Sequence, residues 1–184
     1  QLIGILFSPL ITRIYGPESL GVLGVFVALT SIIAPIVALT YPMGIVLPKS
    51  DNEAKGLVKL SLFIGGIISV AISLILGLFG QELLTILNME ELIPFVALIP
   101  VFLLFSAVLQ VTEQWVIRKK LFKVKANVSV IQSLVLNSGK VGIGLLSPLA
   151  SVLIILTTLG NILNVALVAL FSKIESAKGN KIKI

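Results

Sequence analysis

Polar and ionisable side chains recur at helical spacing inside three long apolar stretches of this sequence. One series is Ser129, Ser133, Asn137 and Lys140, spaced four, four and three residues apart. This spacing places all four within an arc of about 80° on a helix. Such series can surround a shared hydrated cavity, or they can hold helices together through interhelical hydrogen bonds, and the sequence leaves both open. The other two series are Ser106, Gln110, Glu113 and Gln114, and Thr157, Asn161 and Asn164.

Lys140 has the clearest capacity for binding chemistry. It lies about 6 Å from the midpoint of its apolar stretch, where a lone ammonium group costs about 2.5–3.5 kcal/mol on insertion scales. This cost favours a role in attracting an anionic group over a lysine that extends to the interface. Glu113 lies near the other end of its own stretch, about 20 Å away in depth, so the two are not predicted to pair. Arg13 ends the first stretch beside a turn, where it can be an interfacial anchor that faces lipid phosphate, and a functional role stays open.

The composition places these residues in a membrane. Hydrophobic residues make up 57% of the chain and charged residues 12%, whereas a soluble domain has roughly 25% charged residues. The chain has no Cys and no His, which excludes disulfides, thiolate catalysis and Cys/His metal sites. Neither a phosphate-binding glycine loop nor a nucleophile paired with a base is recognisable. We therefore predict no enzyme activity, cofactor or metal, and no nucleic-acid partner.

The apolar stretches predict an all-α, polytopic membrane helix bundle with about six transmembrane helices, the first one truncated. Pro35 is expected to interrupt the second helix, and small residues at every fourth position predict close packing of the third. The predicted helices cover residues 1–14, 20–47, 60–81, 92–117, 126–146 and 150–172, and residues 173–184 form a basic cytoplasmic tail or inter-lobe linker.

The positive charges predict the orientation of the bundle. Residues 118–125 hold five cations between two uncharged stretches, and short loops rich in Lys and Arg stay on the cytoplasmic side. With this loop inside, twelve of the fourteen cations lie on the cytoplasmic side, and the acidic connection 82–91 lies outside. We interpret the 118–125 cluster as a topology determinant and a contact for anionic lipid.

Three groups of short motifs follow one another along the chain: Thr12-Arg13-Ile14-Tyr15-Gly16-Pro17-Glu18 with Gly21, Ile45-Val46-Leu47-Pro48-Lys49 with Ala54, and Gln114-Trp115 with Arg118-Lys119-Lys120, Phe122 and Gln132-Ser133. Taken with their joint spacing, they resemble the motifs of the polysaccharide biosynthesis flippases. These are the O-antigen and capsule repeat-unit translocases of the multidrug/oligosaccharidyl-lipid/polysaccharide exporter superfamily, and the resemblance covers essentially the whole chain. In many members a basic and an acidic residue flank the position of Tyr41. Here Thr40 and Pro42 stand there, so a role of that charged pair does not carry over.

The resemblance implies that the chain is the N-terminal lobe of a two-lobed transporter in a bacterial or archaeal cytoplasmic membrane. Its partners would be the missing C-terminal lobe, the lipid bilayer, a lipid-linked oligosaccharide substrate and a polysaccharide polymerase. The implied function is to move undecaprenyl-diphosphate-linked oligosaccharide to the outer leaflet by alternating access. Arg13 and Lys140 would then attract the diphosphate, and Gln110, Asn137 and Asn161 would meet sugar hydroxyls.

Two other functions remain open at this point. A drug/cation antiporter of the same superfamily would be expected to carry acids in its cavity, and Glu113 is the single candidate in the polar series. A non-transporting membrane scaffold would need only the packing contacts. In a scaffold, substitution of Lys140 or Asn137 would affect stability alone.

Overall fold

The computed structural model describes residues 2–39 and 41–181, and within these residues it is helical throughout, with no β-strand. The predicted all-α class is therefore confirmed. Short 3-10 helices at Tyr41–Val46 and Glu90–Phe95 lie between the longer elements. The α-helices are α1 (Leu2–Ala38), α2 (Asp51–Ile86), α3 (Leu98–Arg118), α4 (Phe122–Gly144) and α5 (Ala150–Lys181).

Four of these helices are long and apolar enough to cross a membrane: α1, α2, α3 and the part of α5 up to Ser172. The chain is thus a multi-pass membrane protein. The remaining helix, α4, is less apolar because it carries the polar series that ends at Lys140. Counting the two halves of α1 separately gives six helical segments, in the predicted order.

The two halves of α1 meet at Gly16, whose φ of 68° and ψ of 172° break the helix. Glycine adopts positive φ without the steric cost that other residues meet. Pro17 follows at the first position of the second half, where a missing N–H removes no helical hydrogen bond. The predicted turn at this motif is confirmed, although it is only one residue long. The backbone stays helical through Pro35, and the second helix ends at Ala38 rather than near 47.

Helix α2 begins nine residues earlier than predicted and also ends later. Ser50 Oγ accepts a hydrogen bond from the backbone N–H of Glu53 at 3.3 Å, and the acidic first turn suits the positive end of the helix dipole. The charged residues that suggested a loop are therefore the start of the helix. Its 36 residues span about 54 Å, well beyond the hydrocarbon thickness of about 30 Å. The first turns, with Asp51 and Lys55, consequently lie outside the apolar part.

The other helix boundaries shift for local reasons. Helix α3 begins at Leu98 rather than 92, since Pro94 lies in the preceding 3-10 helix. Helix α4 begins at Phe122 rather than 126 and so includes Lys123 and Lys125 of the predicted loop. Helix α5 runs on through residues 173–181 of the predicted tail.

Helices α1 and α3 form the centre of the bundle. Helix α2 packs against α3, while α4 packs mainly against α5 and α1. The Phe26 and Phe102 rings meet edge to face, with centroids 5.4 Å apart, where α1 crosses α3. Hydrocarbon tails are as apolar as these side chains, so close packing and hydrogen bonds, rather than exclusion of water, favour these contacts in the bilayer.

We call the end of the bundle that carries residues 118–125 the inner end, and the opposite end the outer end. Of the small residues that recur at every fourth position of α2, only those in the inner half pack closely against α3. Ser61, Gly65 and Ser69 are buried, and a Cβ atom at Gly65 would lie 3.2 Å from Ala107 Cβ of α3. The prediction of a close-packed face is confirmed there. Ser73 and Gly77 are exposed, because they line an open cleft between the outer ends of α2 and α3.

Candidate functional site

Tyr15 attaches the break in α1 to the outer part of α4. Its hydroxyl donates a hydrogen bond to the backbone carbonyl of Lys140 at 2.7 Å. Its ring covers Gly144, where an added Cβ atom would lie 2.7 Å from the ring. Nearby, Ser19 Oγ donates to the carbonyl of Pro148 at 3.4 Å. The residues around Gly16 thus hold the outer end of α4 at a fixed position beside α1.

Lys140 projects from this anchored part of α4 and is partly buried. Among the residues that the structure describes, no carboxylate lies within ion-pair distance of its ammonium group. The hydrogen bond from Tyr15 uses the Lys140 backbone and leaves the side chain unoccupied. Lys140 therefore presents a positive charge that the described protein does not neutralise.

Arg13 lies in the turn of α1 before the break, two residues from Tyr15, and is exposed. Because Tyr15 contacts α4 at Lys140, Arg13 and Lys140 lie in the same outer part of the bundle. The structure thus places the two predicted anion contacts at one end, on neighbouring helices.

Gln132 connects α4 to α5 further inward. Its amide nitrogen donates to the carbonyl of Gly160 at 2.8 Å, and its amide oxygen accepts a hydrogen bond from Asn164. A Cβ atom at Gly160 would lie 2.8 Å from Leu136, so the two helices are close at this level. This antiparallel register places Asn161 about 8 Å further inward than Lys140 along the helix axes.

Two of the predicted sugar contacts use their amide groups within the bundle. Asn137 donates to the carbonyl of Ser133 at 2.7 Å, in its own helix. Gln110 donates to the carbonyl of Ala34 at 3.3 Å and so ties α3 to α1. Gln110 does not lie beside Lys140, because α3 makes few contacts with α4. Asn161 is partly buried, and it forms no hydrogen bond through its side chain with the described residues.

Gln110 of the α3 series and Asn164 of the α5 series therefore form hydrogen bonds between helices, whereas the α4 series forms none through its side chains with the described residues. The space left between the inner ends of α3, α4 and α5 is a cavity of about 90 Å³, lined by Glu113, Lys125, Ser129 and Asn164 with two valines. Glu113 Oε1 lies 3.1 Å from Lys125 Nζ. Glu113 thus pairs with a cation at the inner end, in agreement with the prediction that it does not pair with Lys140.

Arg118 occupies a second polar centre at the inner end, which the sequence analysis missed. Its guanidinium donates to the carbonyls of Pro48 at 2.7 Å, Ser50 at 3.1 Å and Ile45 at 3.2 Å. It also donates to Asp51 Oδ1 at 3.2 Å, and the side chain is 10% exposed. Arg118 thereby ties the end of α3 to the connection between α1 and α2.

Lys119 completes this inner centre. Its ammonium group binds the other oxygen of Asp51 and lies 5.3 Å from the centroid of the Trp115 ring. Hydrogen bonds from Lys119 and then Arg118 lower the pKa of the Asp51 carboxyl. The sequence does show an acidic first turn of α2 and Arg118 at the end of α3, which could form an ion pair. Nothing in the sequence indicates that these two helix ends meet.

Comparison with known proteins identifies the family. Neither the curated proteins nor the solved structures include a match to this chain. A family profile described as "Polysaccharide biosynthesis protein" matches residues 10–182, which include the Arg13–Gly16 break, α4 with Lys140 and the inner centre around Arg118. The match covers nearly all of the chain, which therefore belongs to the polysaccharide biosynthesis protein family.

Proposed function

We propose that this chain forms one lobe of a transporter that moves lipid-linked oligosaccharides across the cytoplasmic membrane during polysaccharide biosynthesis. A polyprenyl tail can stay in the bilayer during this movement, whereas the diphosphate and the sugars need a polar, cationic path. The proposal involves no chemical conversion of the substrate. A second lobe of the same transporter would form the opposite wall of the path.

The observation that carries the proposal is Lys140, a membrane cation without an acidic partner among the described residues. A charge at such a depth is costly and is generally kept for function. Arg13 lies at the same end of the bundle, and a pair of cations suits a diphosphate better than one cation does. Asn161, whose amide makes no hydrogen bond to the described residues, is the best placed of the predicted sugar contacts.

The two alternative functions receive less support. A cation antiporter needs an available carboxylate, but Glu113, the one acid in the three polar series, lies 3.1 Å from Lys125. A scaffold accounts for Gln110, Gln132 and Asn164, which connect helices through hydrogen bonds. It gives no reason for an unneutralised ammonium group at position 140.

The test replaces Lys140 in the full-length protein and measures surface polysaccharide in intact cells at matched protein level. Lys140→Leu should lower export at least about tenfold, because a hydrogen bond to a charged group contributes about 1.5–3 kcal/mol. Lys140→Arg should retain more export because it keeps the positive charge. Ser138→Leu changes an exposed residue of the same helix and should export normally. Wild-type export from the Lys140→Leu protein would rule out the proposed role of this residue.

A further inference from the structure

An apolar groove runs along the inner half of the bundle, on the side of α3 between α2 and α5. Both of these helices pack against α3, but they make little contact with each other. The gap has a volume of about 320 Å³, with Val58 and Leu62 on α2, Val111 and Trp115 on α3, and Val165 and Val168 on α5. This volume is at the small end of ligand-binding pockets, which measure about 300–1,000 Å³. We call this gap the inner groove.

The inner groove has a cationic rim at one end. Lys55 lines the groove from the first turns of α2 and is exposed. No carboxylate of the described residues lies within ion-pair distance of its ammonium group. Thr112, Trp115 and Ser172 add polar atoms to the lining. The groove therefore combines an apolar floor about 10 Å long, from Lys55 to Leu62, with one available positive charge at its inner end.

This combination fits an amphiphile that has an apolar chain and an anionic head. Lys and Trp are typical of the membrane interface, where such heads lie, and a Lys or Arg near the surface attracts anionic lipid. The rim also lies at the end of the bundle that carries most of the positive charge. An uncharged helix of a partner protein would leave Lys55 without an anion.

We propose that the inner groove binds the part of one acyl chain nearest the headgroup of an anionic phospholipid from the inner leaflet, with the lipid phosphate at Lys55. The site is distinct from the proposed substrate path, since Lys55 and Lys140 lie at opposite ends of the bundle. It does not depend on the transport function. Either proposal can therefore fail without the other.

Trp115 makes the proposal directly measurable, because it lines the groove and is the only tryptophan of these 184 residues. The full-length protein is placed in vesicles, with any tryptophan outside this chain replaced by phenylalanine. Quenching of Trp115 fluorescence is then recorded against the mole fraction of brominated phosphatidylglycerol or brominated phosphatidylcholine. The anionic lipid should quench half-maximally at about fivefold lower mole fraction, the ratio that corresponds to about 1 kcal/mol for one lysine.

Three variants separate the parts of the site. Lys55→Gln should remove the preference for the anionic lipid, and Lys55→Arg should keep it. Val165→Phe should fill the groove and reduce quenching by both lipids. Val70→Phe serves as its matched control, because Val70 is an exposed residue of α2 outside the groove. Far-ultraviolet circular dichroism shows whether each variant is folded. If the Val165→Phe protein does not fold, the effect of Lys55→Gln on the lipid preference tests the proposal.

Three results would overturn the proposal. Equal quenching by the two lipids in the wild type would show an ordinary lipid-facing surface. Absence of quenching by either lipid would show that another part of the protein covers the groove. Displacement of brominated phosphatidylglycerol by a polyprenyl diphosphate at lower concentration than by unlabelled phosphatidylglycerol would assign the groove to the transported lipid instead.

Discussion

Arg118 at the inner end and Lys140 in the outer part of the bundle are both shielded cations, but their surroundings differ. Arg118 donates hydrogen bonds to three backbone carbonyls and to Asp51. The Lys140 side chain has no acidic partner among the described residues. When all hydrogen-bond donors of a cation bind other parts of the protein, the cation holds those parts together. A cation without such acceptors keeps its charge available for a ligand.

The same distinction divides the cationic cluster at 118–125. Arg118 and Lys119 bind Asp51, and Lys125 binds Glu113. Lys120 and Lys123 are exposed and make no ion pair with the described residues. The interpretation of the whole cluster as a topology and lipid-binding signal is therefore incomplete, because part of it joins helix ends.

The largest effect on stability is expected from Arg118→Ala. This change leaves the carbonyls of Ile45, Pro48 and Ser50 without their donor. Because a hydrogen bond to a charged group contributes about 1.5–3 kcal/mol, the loss of several together should reach about 3 kcal/mol. Arg118→Lys should recover only part of the loss, since an ammonium group lacks the planar fork of the guanidinium. The measurement is the free energy of unfolding in detergent micelles.

Lys123→Ala is the matched control for Arg118, because it removes an exposed cation from the same region. It should change the free energy of unfolding by less than about 0.5 kcal/mol. If Arg118→Ala were as mild as this control, the inner hydrogen bonds would not hold the helix ends together. The contrast between the two ends of the bundle would then fail.

A smaller loss of stability is expected from Gly144→Ala at the outer end. The new Cβ atom would lie 2.7 Å from the Tyr15 ring, and overpacking of this kind costs about 1–3 kcal/mol. The cost should largely disappear in a Tyr15→Ala background, which a double-mutant cycle measures.

Gly142→Ala provides the control for that cycle, since nothing lies within 4 Å of a Cβ atom there. It should be neutral or slightly stabilising, because alanine favours helix over glycine. Equal effects of the two glycine substitutions would mean that Tyr15 does not hold α4 at this point. The position of Lys140 beside α1 would then need another explanation.

The sequence predicts the fold class because each apolar stretch has its own length and limits. It also identifies the break at Gly16, where glycine followed by proline has a local cause. The boundaries of α2 were wrong, because Asp51 and Glu53 look like loop residues although they begin a helix after Ser50. Charged residues between two apolar stretches predict a loop, but here the Ser50 cap determines where the helix begins.

A candidate site residue can be selected from the sequence only where its signal does not depend on a partner. Lys140 could be selected because an isolated ammonium group in an apolar stretch is unusual by itself. Gln132 with Asn164, and Arg118 with residues 45–51, depend on which helices meet and at what level. Such contacts between distant parts of the chain leave no periodic signal in one sequence.

The smallest effect is expected from the pH dependence of the inner centre. Hydrogen bonds from Lys119 and Arg118 lower the pKa of Asp51 in the folded protein, below the unfolded value of about 3.9. Ionised Asp51 therefore stabilises the fold fully above that unfolded value, and this contribution is lost as pH falls through the lower folded pKa.

The free energy of unfolding of the wild type minus that of Asp51→Asn should be constant from pH 7 to about 5 and then decrease. Lys119→Gln removes the largest cause of the shift and should flatten this decrease, and added salt should weaken it because Asp51 is half exposed. A difference that stays constant down to pH 2, or that begins to fall near neutrality, would contradict the assignment of Asp51 as the acid that pairs with both cations.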